Sequence, residues 1–299
     1  MLAMARVEAN GVELEYDEFG DAEAPALVLV MGLATQMIAW DEEFCERLAA
    51  AGPFRVVRFD NRDIGLSTEF AEKGVPDVMK VLSGEEPPPY TLDDMADDAV
   101  GLLDALGIRR AHFVGASMGG FIVQLVAIRH PERVLSLTSI MSGPAGVRDN
   151  APATPEAMNA LMKQPPRDRE GLIEHGVWVS RTIGGPAYFD EAEVRRRRAR
   201  AVDRSVRIEG TARQFAAIAA APDRTEQLRK LDVPALVVHG EADPLVPIEN
   251  GRRTAAAIPG ARLLTFEKMS HDLPRPLWPE IVAAIAELAK QAAAGRSPD

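Results

Sequence analysis

The segment Gly115-Ala116-Ser117-Met118-Gly119, with Gly120 next, flanks a serine with glycines two residues away on each side. A strand-like stretch, His112 to Gly115, precedes it, and a helix-like stretch through Ile128 follows. A serine on so sharp a strand-to-helix turn is pushed out at the end of a sheet, and the following helix aims its N-terminus at any negative charge that develops there. The glycines fit because a side chain two residues from the serine would meet neighbouring backbone. A serine hydroxyl is a weak nucleophile near neutral pH. It needs a base to take its proton and an acid to orient that base.

Where such a turn carries the nucleophile, the partners follow in the order serine, acid, histidine. Five histidines are available. His112 opens the strand leading to Ser117, at the end far from the turn. His130 closes the next helix before Pro131, and His175 lies in a Pro- and Arg-rich block. His239 sits inside the strand Leu236 to His239 and precedes the candidate acid. His271 follows the last strand, on the loop Met269-Ser270-His271-Asp272, and is the candidate base. The acid belongs on Gly240-Glu241-Ala242-Asp243-Pro244-Leu245-Val246-Pro247. Asp243 is the choice, and Glu241, nearer the strand, is the alternative. After Met141 the chain offers Ser142-Gly143-Pro144 and no acid, and Asp272 reads as a loop residue.

Acyl transfer also needs two preorganised N–H donors for the oxyanion. One is the amide of Met118. The other comes from Met31-Gly32-Leu33-Ala34, where Gly32 lets the backbone approach and Leu33 N–H is the candidate donor. Gly32, Met37, Met118, Met158, Met162, Trp178 and Phe215 are candidates to line an apolar substrate pocket. For each of the apolar side chains the competing reading is ordinary core packing.

The elements that would position these residues alternate. Asn10-Gly11 is a hairpin turn signal near the start. Ala26 to Met31 is an unbroken apolar run, as for a strand buried on both faces. Residues 41–51 look helical, and Phe54 to Asp60 is a second strand. Thr91 to Leu106 is a helix with a capping-box-like start at Thr91 and Asp94, an apolar face of Met95, Ala99, Leu102 and Leu106, and a stop at Gly107. Val134 to Met141, Pro234 to Gly240 and Arg262 to Phe266 are further strands, with helices near 248–258 and 279–291 and a frayed tail at 291–299. Alternating β and α implies an α/β fold, a mostly parallel central sheet with helices on both faces. Residues 143–231 break the rhythm and read as a helical cap (lid) inserted over the sheet's carboxyl edge, so the core domain is 1–142 plus 232–299.

The totals exclude several classes. A net charge of −11 would be repelled by nucleic acid and by an anionic membrane face. The basic run Arg195 to Arg198 with Arg200 reads as a solvated helix face. The single cysteine, Cys45, permits no intrachain disulfide and anchors no zinc site; no metal and no cofactor is called for. No secretory signal and no run of about 18 apolar residues is visible, so a cytoplasmic location is expected. The expected partner is a small-molecule ester. A homo-oligomer stays open, because oligomeric state is not written in these residues.

Taken together, Asn10-Gly11-Val12, the stretch Asp60-Asn61-Arg62-Asp63-Ile64-Gly65-Leu66-Ser67, the Ser117 turn and the Asp243 and His271 loops resemble the α/β-hydrolase superfamily over nearly the whole chain. They are similar in particular to the aclacinomycin methylesterase-like bacterial carboxylesterases, and to cofactor-free esterase/haloperoxidase-type hydrolases. The resemblance implies Ser117, Asp243 and His271 as the triad and a helical cap at 143–231. The chain departs from the pattern twice: Met31 precedes Gly32 where many relatives have histidine, and Asp63 stands where glycine is usual. Ser117 argues against haloalkane dehalogenases and epoxide hydrolases, which place an aspartate there. Three readings follow: a serine carboxylesterase for short or medium acyl or methyl esters, another chemistry on the same residues such as C–C bond hydrolysis, lactone opening or a perhydrolase-like reaction, and a non-catalytic binding module.

Overall fold

The computed structural model describes residues 5–294. Strands β1 (Ala5–Ala9) and β2 (Val12–Phe19) form the expected hairpin across Asn10 and Gly11, both at positive φ. Next come β3 (Ala26–Val30), helix α1 (Glu42–Ala51), β4 (Arg55–Phe59), α2 (Val78–Ser83), α3 (Leu92–Ala105), β5 (Ala111–Ala116), α4 (Met118–Arg129) and β6 (Val134–Ile140). Five helices fill the stretch before β7 (Ala235–Gly240): α5 (Pro155–Met162), α6 (Arg169–Gly184), α7 (Glu191–Arg204), α8 (Ile208–Ala220) and α9 (Thr225–Leu228). The chain closes with α10 (Ile248–Ala257), β8 (Arg262–Phe266) and α11 (Trp278–Ala294).

The eight strands make one sheet in the order β1-β2-β4-β3-β5-β6-β7-β8. β1 and β2, and β2 and β4, pair antiparallel, and every later neighbour pairs parallel. Parallel strands covered on both sides must be apolar throughout, and β3 (ALVLV) is buried at all five positions. The pleat divides them: Leu27 and Leu29 join the core formed with α1 and α11, whereas Val28 and Val30 join the core formed with α3 and α4.

Local chemistry explains the helices that grip the sheet. Asp41 caps α1 by accepting from Glu43 N, acidic Glu42 and Glu43 occupy its first turn, and Phe44, Cys45 and Leu48 point inward. Burying a side chain such as Phe44 or Leu48 stabilises by about 1.5–3 kcal/mol. Thr91 and Asp94 make a reciprocal capping box at α3. The final helix runs through Ala294, beyond the expected stop near 291, because alanine favours helix and Ala292 is packed inside, 2% exposed. The rest of the expected tail, 295–299, lies outside the described residues.

Among the described residues the insertion between β6 and β7 holds no strand, as the broken rhythm predicts. Its second half sits on the loop after β4. Arg204 pairs with Asp60, Ser205 Oγ and Arg207 Nε donate to Gly65 O, and Arg213 pairs with Asp63. Asp63 has φ +67°, which explains why glycine is usual at that position. The arginine run on α7 is only partly the solvated face expected. Arg195 pairs with Glu170 and Glu174, but Arg198 turns inward against Gly176 and donates to Ser180 Oγ at 2.9 Å, since Val194 on the same face is buried against α6.

Candidate active site

Four loops at the carboxyl edge of the sheet bring the candidate residues together, those after β3, β5, β7 and β8. Ser117 follows β5 with φ +56° and ψ −120°, a strained setting for a residue with a Cβ, and its N–H donates to Ile140 O. The turn is as tight as its glycines imply. A Cβ on Gly115 would lie 2.1 Å from Gly119 O, and one on Gly119 would lie 2.1 Å from Val30 O. No side chain can enter either place without moving backbone, that of α4 in the first case and that of β3 in the second.

His271 Nε2 lies 3.0 Å from Ser117 Oγ, and its Nδ1 lies 2.8 Å from Asp243 Oδ2. The other oxygen, Oδ1, accepts from Leu245 N and Val246 N at 2.9 and 2.8 Å, so the carboxylate is held from both sides. Because an ionised carboxylate only accepts, Nδ1 carries a proton and Nε2 is left to face the serine. Glu241, the alternative acid, is exposed and accepts from Thr265 Oγ1 instead. The main chain of His271 is fastened too: its N–H donates to Ile183 O at the end of α6.

The remaining histidines have other partners. His112 Nδ1 is 2.8 Å from Ser136 Oγ, and burial pushes its imidazole down to about 4. His130 meets Asp97, and His175 packs its ring against Trp178. His239 is buried behind Asp243, and its Nε2 donates to Val246 O at 2.7 Å, bracing the Asp243 turn. Burial lowers its pKa, against the upward pull of Asp243.

Gly32 lies against Ser117, where a Cβ would be 2.9 Å from Ser117 Cβ. Leu33 follows it, half-buried, and Met118 opens α4. Neither of these two N–H groups donates to an acceptor among the described residues. Phe215, on α8, belongs to the same buried cluster as Met118. Met37 is wholly enclosed, Met158 on α5 and Trp178 on α6 are half-buried, and Met162 is 46% exposed. Among the described residues no group of acidic, histidine and cysteine side chains could hold a metal ion, and no helix is long and apolar enough to cross a membrane.

The family of the α/β hydrolase fold matches residues 25–274, with the Ser117, Asp243 and His271 loops all inside the match. The chain belongs to the α/β-hydrolase family. Among its relatives is the rhodomycin D methylesterase DauP of Streptomyces sp. strain C5, 32% identical over 93% of this chain and 95% of that protein. The rhodomycin D methylesterase DnrP of Streptomyces peucetius is also 32% identical, over 92% and 94%. Among solved structures, the enol-lactonase from Burkholderia xenovorans LB400 superposes with a TM-score of 0.70 at 26% identity, covering 97% of this chain and all of that one.

Sequence reasoning on this α/β hydrolase missed the side chains that hold the loop after β3. Asn61 Nδ2 donates to Met31 O, Asp60 Oδ1 accepts from Met37 N, and Gln214 Oε1 accepts from Ala34 N. A signal for the last of these was present. Gln214 falls on the same face of α8 as Gly210, Ala217 and Ile218, the apolar, inward face of that helix.

Proposed function

We propose that this chain is a serine carboxylic-ester hydrolase in which Ser117 is the nucleophile, His271 the base and Asp243 the orienting acid. The observation that carries the reading is the unbroken relay from Asp243 through His271 to Ser117, set beside two undirected backbone amides. His271 Nε2 takes the hydroxyl proton as Ser117 Oγ attacks the ester carbonyl. Negative charge builds on the carbonyl oxygen, where Leu33 N–H and Met118 N–H hold it. His271 then gives its proton to the departing alcohol, leaving an acyl-serine. Water loses a proton to His271 as it attacks the acyl carbon, and His271 returns that proton to Ser117 Oγ as the acyl–oxygen bond breaks and the acid leaves. Asp243 keeps the imidazole in the tautomer that both steps use and stabilises its positive form.

The methylesterase relatives favour a methyl ester as substrate, with short and medium acyl esters beside it. The insertion at 143–231 acts as a cap over the reacting atoms. Gly32, Met158, Trp178 and Phe215 contribute the pocket, with Phe215 in the same buried cluster as Met118, whereas Met37, with no exposed surface, is core packing. Lactone opening by the same residues is the second reading, drawn from the likeness to the enol-lactonase. A panel of chromogenic esters of graded acyl length, extended with a polyketide methyl ester and a simple lactone, separates the two. Turnover of esters that vanishes in Ser117→Ala is the expected result. Turnover of the lactone alone would overturn the ester reading, and full phosphonate labelling of Ser117→Ala would overturn the nucleophile.

A further inference from the structure

We propose that Gln214 is a positioning residue for the oxyanion site, so that the insertion as well as the sheet sets the direction of the Leu33 amide. This rests on the assignment of Leu33 and Met118 as the oxyanion donors.

Gln214 lies on α8 and is 0% exposed, so both ends of its amide need partners within the protein. Oε1 accepts from Ala34 N at 3.0 Å, and Nε2 donates to Arg62 O at 2.8 Å. One side chain therefore ties the loop after β3 to the loop after β4. The two partners also dictate its chemistry: a backbone N–H demands an acceptor and a backbone carbonyl demands a donor. Glutamate would keep the first bond and set a carboxylate against the Arg62 carbonyl. Leucine would lose both.

The loop it holds needs holding. Ala34 has φ +57°, a left-handed conformation that a residue with a Cβ adopts only where the surroundings impose it. The ends of the loop are fixed from the core, Met31 O by Asn61 and Met37 N by Asp60. Between them Thr35 closes the turn internally, its N–H toward Gly32 O and its hydroxyl donating to Leu33 O. Among the described residues, Gln214 supplies the one hydrogen bond that reaches residues 32–35 from outside. That bond falls on the Leu33–Ala34 peptide, directly after the Gly32–Leu33 peptide that carries the Leu33 N–H, so it fixes Leu33 from its C-terminal side and limits how far the donor peptide can swing.

Gln214 is itself well placed to act as a fixed point. Its neighbour Arg213 is clamped to Asp63, and Gly210, one turn earlier, lies so close to Asp63 O that a Cβ there would be 2.2 Å away. A loop displaced by even a fraction of an ångström stabilises the ground state as before and the oxyanion less. The effect is then on kcat rather than on KM.

The test uses the full chain and the variants Gln214→Leu and Gln214→Glu. Three quantities are measured: kcat and KM on an aryl ester, the inhibition constant of an aryl trifluoromethyl ketone whose adduct carries the oxyanion, and the rate of Ser117 labelling by a fluorophosphonate. For Gln214→Leu, kcat and labelling should fall on the order of 10- to 100-fold, ketone binding should weaken by a matching factor, and KM should stay within about twofold. Gln214→Glu should fall less, in the same pattern, and carries the comparison if the leucine variant does not fold. Wild-type values in a folded variant, or a change in KM equal to that in kcat with no loss of ketone affinity, overturn the proposal. If the native enzyme neither labels at Ser117 nor binds the ketone, the nucleophile reading falls and the role of Gln214 with it. If the native enzyme does both and the variants match it, the role of Gln214 alone falls.

Discussion

Arg213 meets Asp63 through two N–H···O bonds of 2.8 Å each, between side chains that are 1% and 0% exposed. One residue comes from the helical insertion and the other from the loop after β4. Removing either partner leaves a buried charge, which typically costs about 3–5 kcal/mol. Arg213→Leu and Asp63→Gly should each destabilise on that scale, measured by urea denaturation. The double variant should recover most of the loss, because no charge then stays buried and the left-handed position passes to glycine. A double variant no more stable than the singles would show that the pair is not the reason.

Asp243, the proposed acid, has a rival in Glu241 that the geometry disfavours, and activity decides between them. Asp243→Asn offers His271 an amide that no longer enforces the working tautomer, so kcat should fall by roughly 10⁴-fold with KM little changed. Glu241→Gln keeps an acceptor for Thr265 Oγ1, removes only a surface charge, and should leave kcat within about twofold. Steady-state kinetics on one chromogenic ester checks both.

The Ser117 turn admits no Cβ at Gly119, where the obstacle is the carbonyl of Val30 in the middle of the sheet. Gly119→Ala should destabilise by about 1–3 kcal/mol, the usual cost of overpacking, and should shift the turn that carries Ser117. Thermal unfolding and fluorophosphonate labelling on the same samples give both readouts. Wild-type labelling in a folded Gly119→Ala protein would contradict the account of the turn.

Acid should destabilise the fold partly through His112, far from the chemistry. Its folded value is about 4 against an ordinary 6.5, so between these pH values the unfolded chain takes up the proton first. Stability from this group is complete above pH 6.5 and is lost as pH falls toward 4, a total on the order of 3 kcal/mol. Carboxylates titrate in the same range, so the comparison is a difference curve. His112→Gln should show a flatter fall in Tm between pH 6.5 and 4 than the wild type, and identical slopes would remove His112 from the explanation.

Much of this molecule could be read without coordinates where the signal is local. Residues 262–266 form the strand their pattern predicts, and Thr91 and Asp94 cap the helix they were expected to open. The Ser117 turn and the loops of Asp243 and His271 were legible because turn chemistry and strand order confine each to one place on the sheet edge. The partners of the supports were not legible, because they are polar groups that lie far along the chain. Gln214 reaches back 180 residues to Ala34, and no periodicity within α8 announces the other end of such a bond. Arg198 misled for a related reason: its neighbours in the run face solvent, and only the phase of α7 turns it inward.

His271 is attached to the insertion through its own main chain, to the carbonyl of Ile183. A carbonyl is the same whatever side chain stands beside it. The exposed residues of α6 can therefore diverge, one substitution at a time, without removing the bond to the histidine, whereas Ile173 and Val177 are held by packing. On the proposed function, selection for a new acyl group can change side chains of α6 while the attachment of His271 is inherited unchanged, a separation that the side-chain bond from Gln214 does not grant to α8.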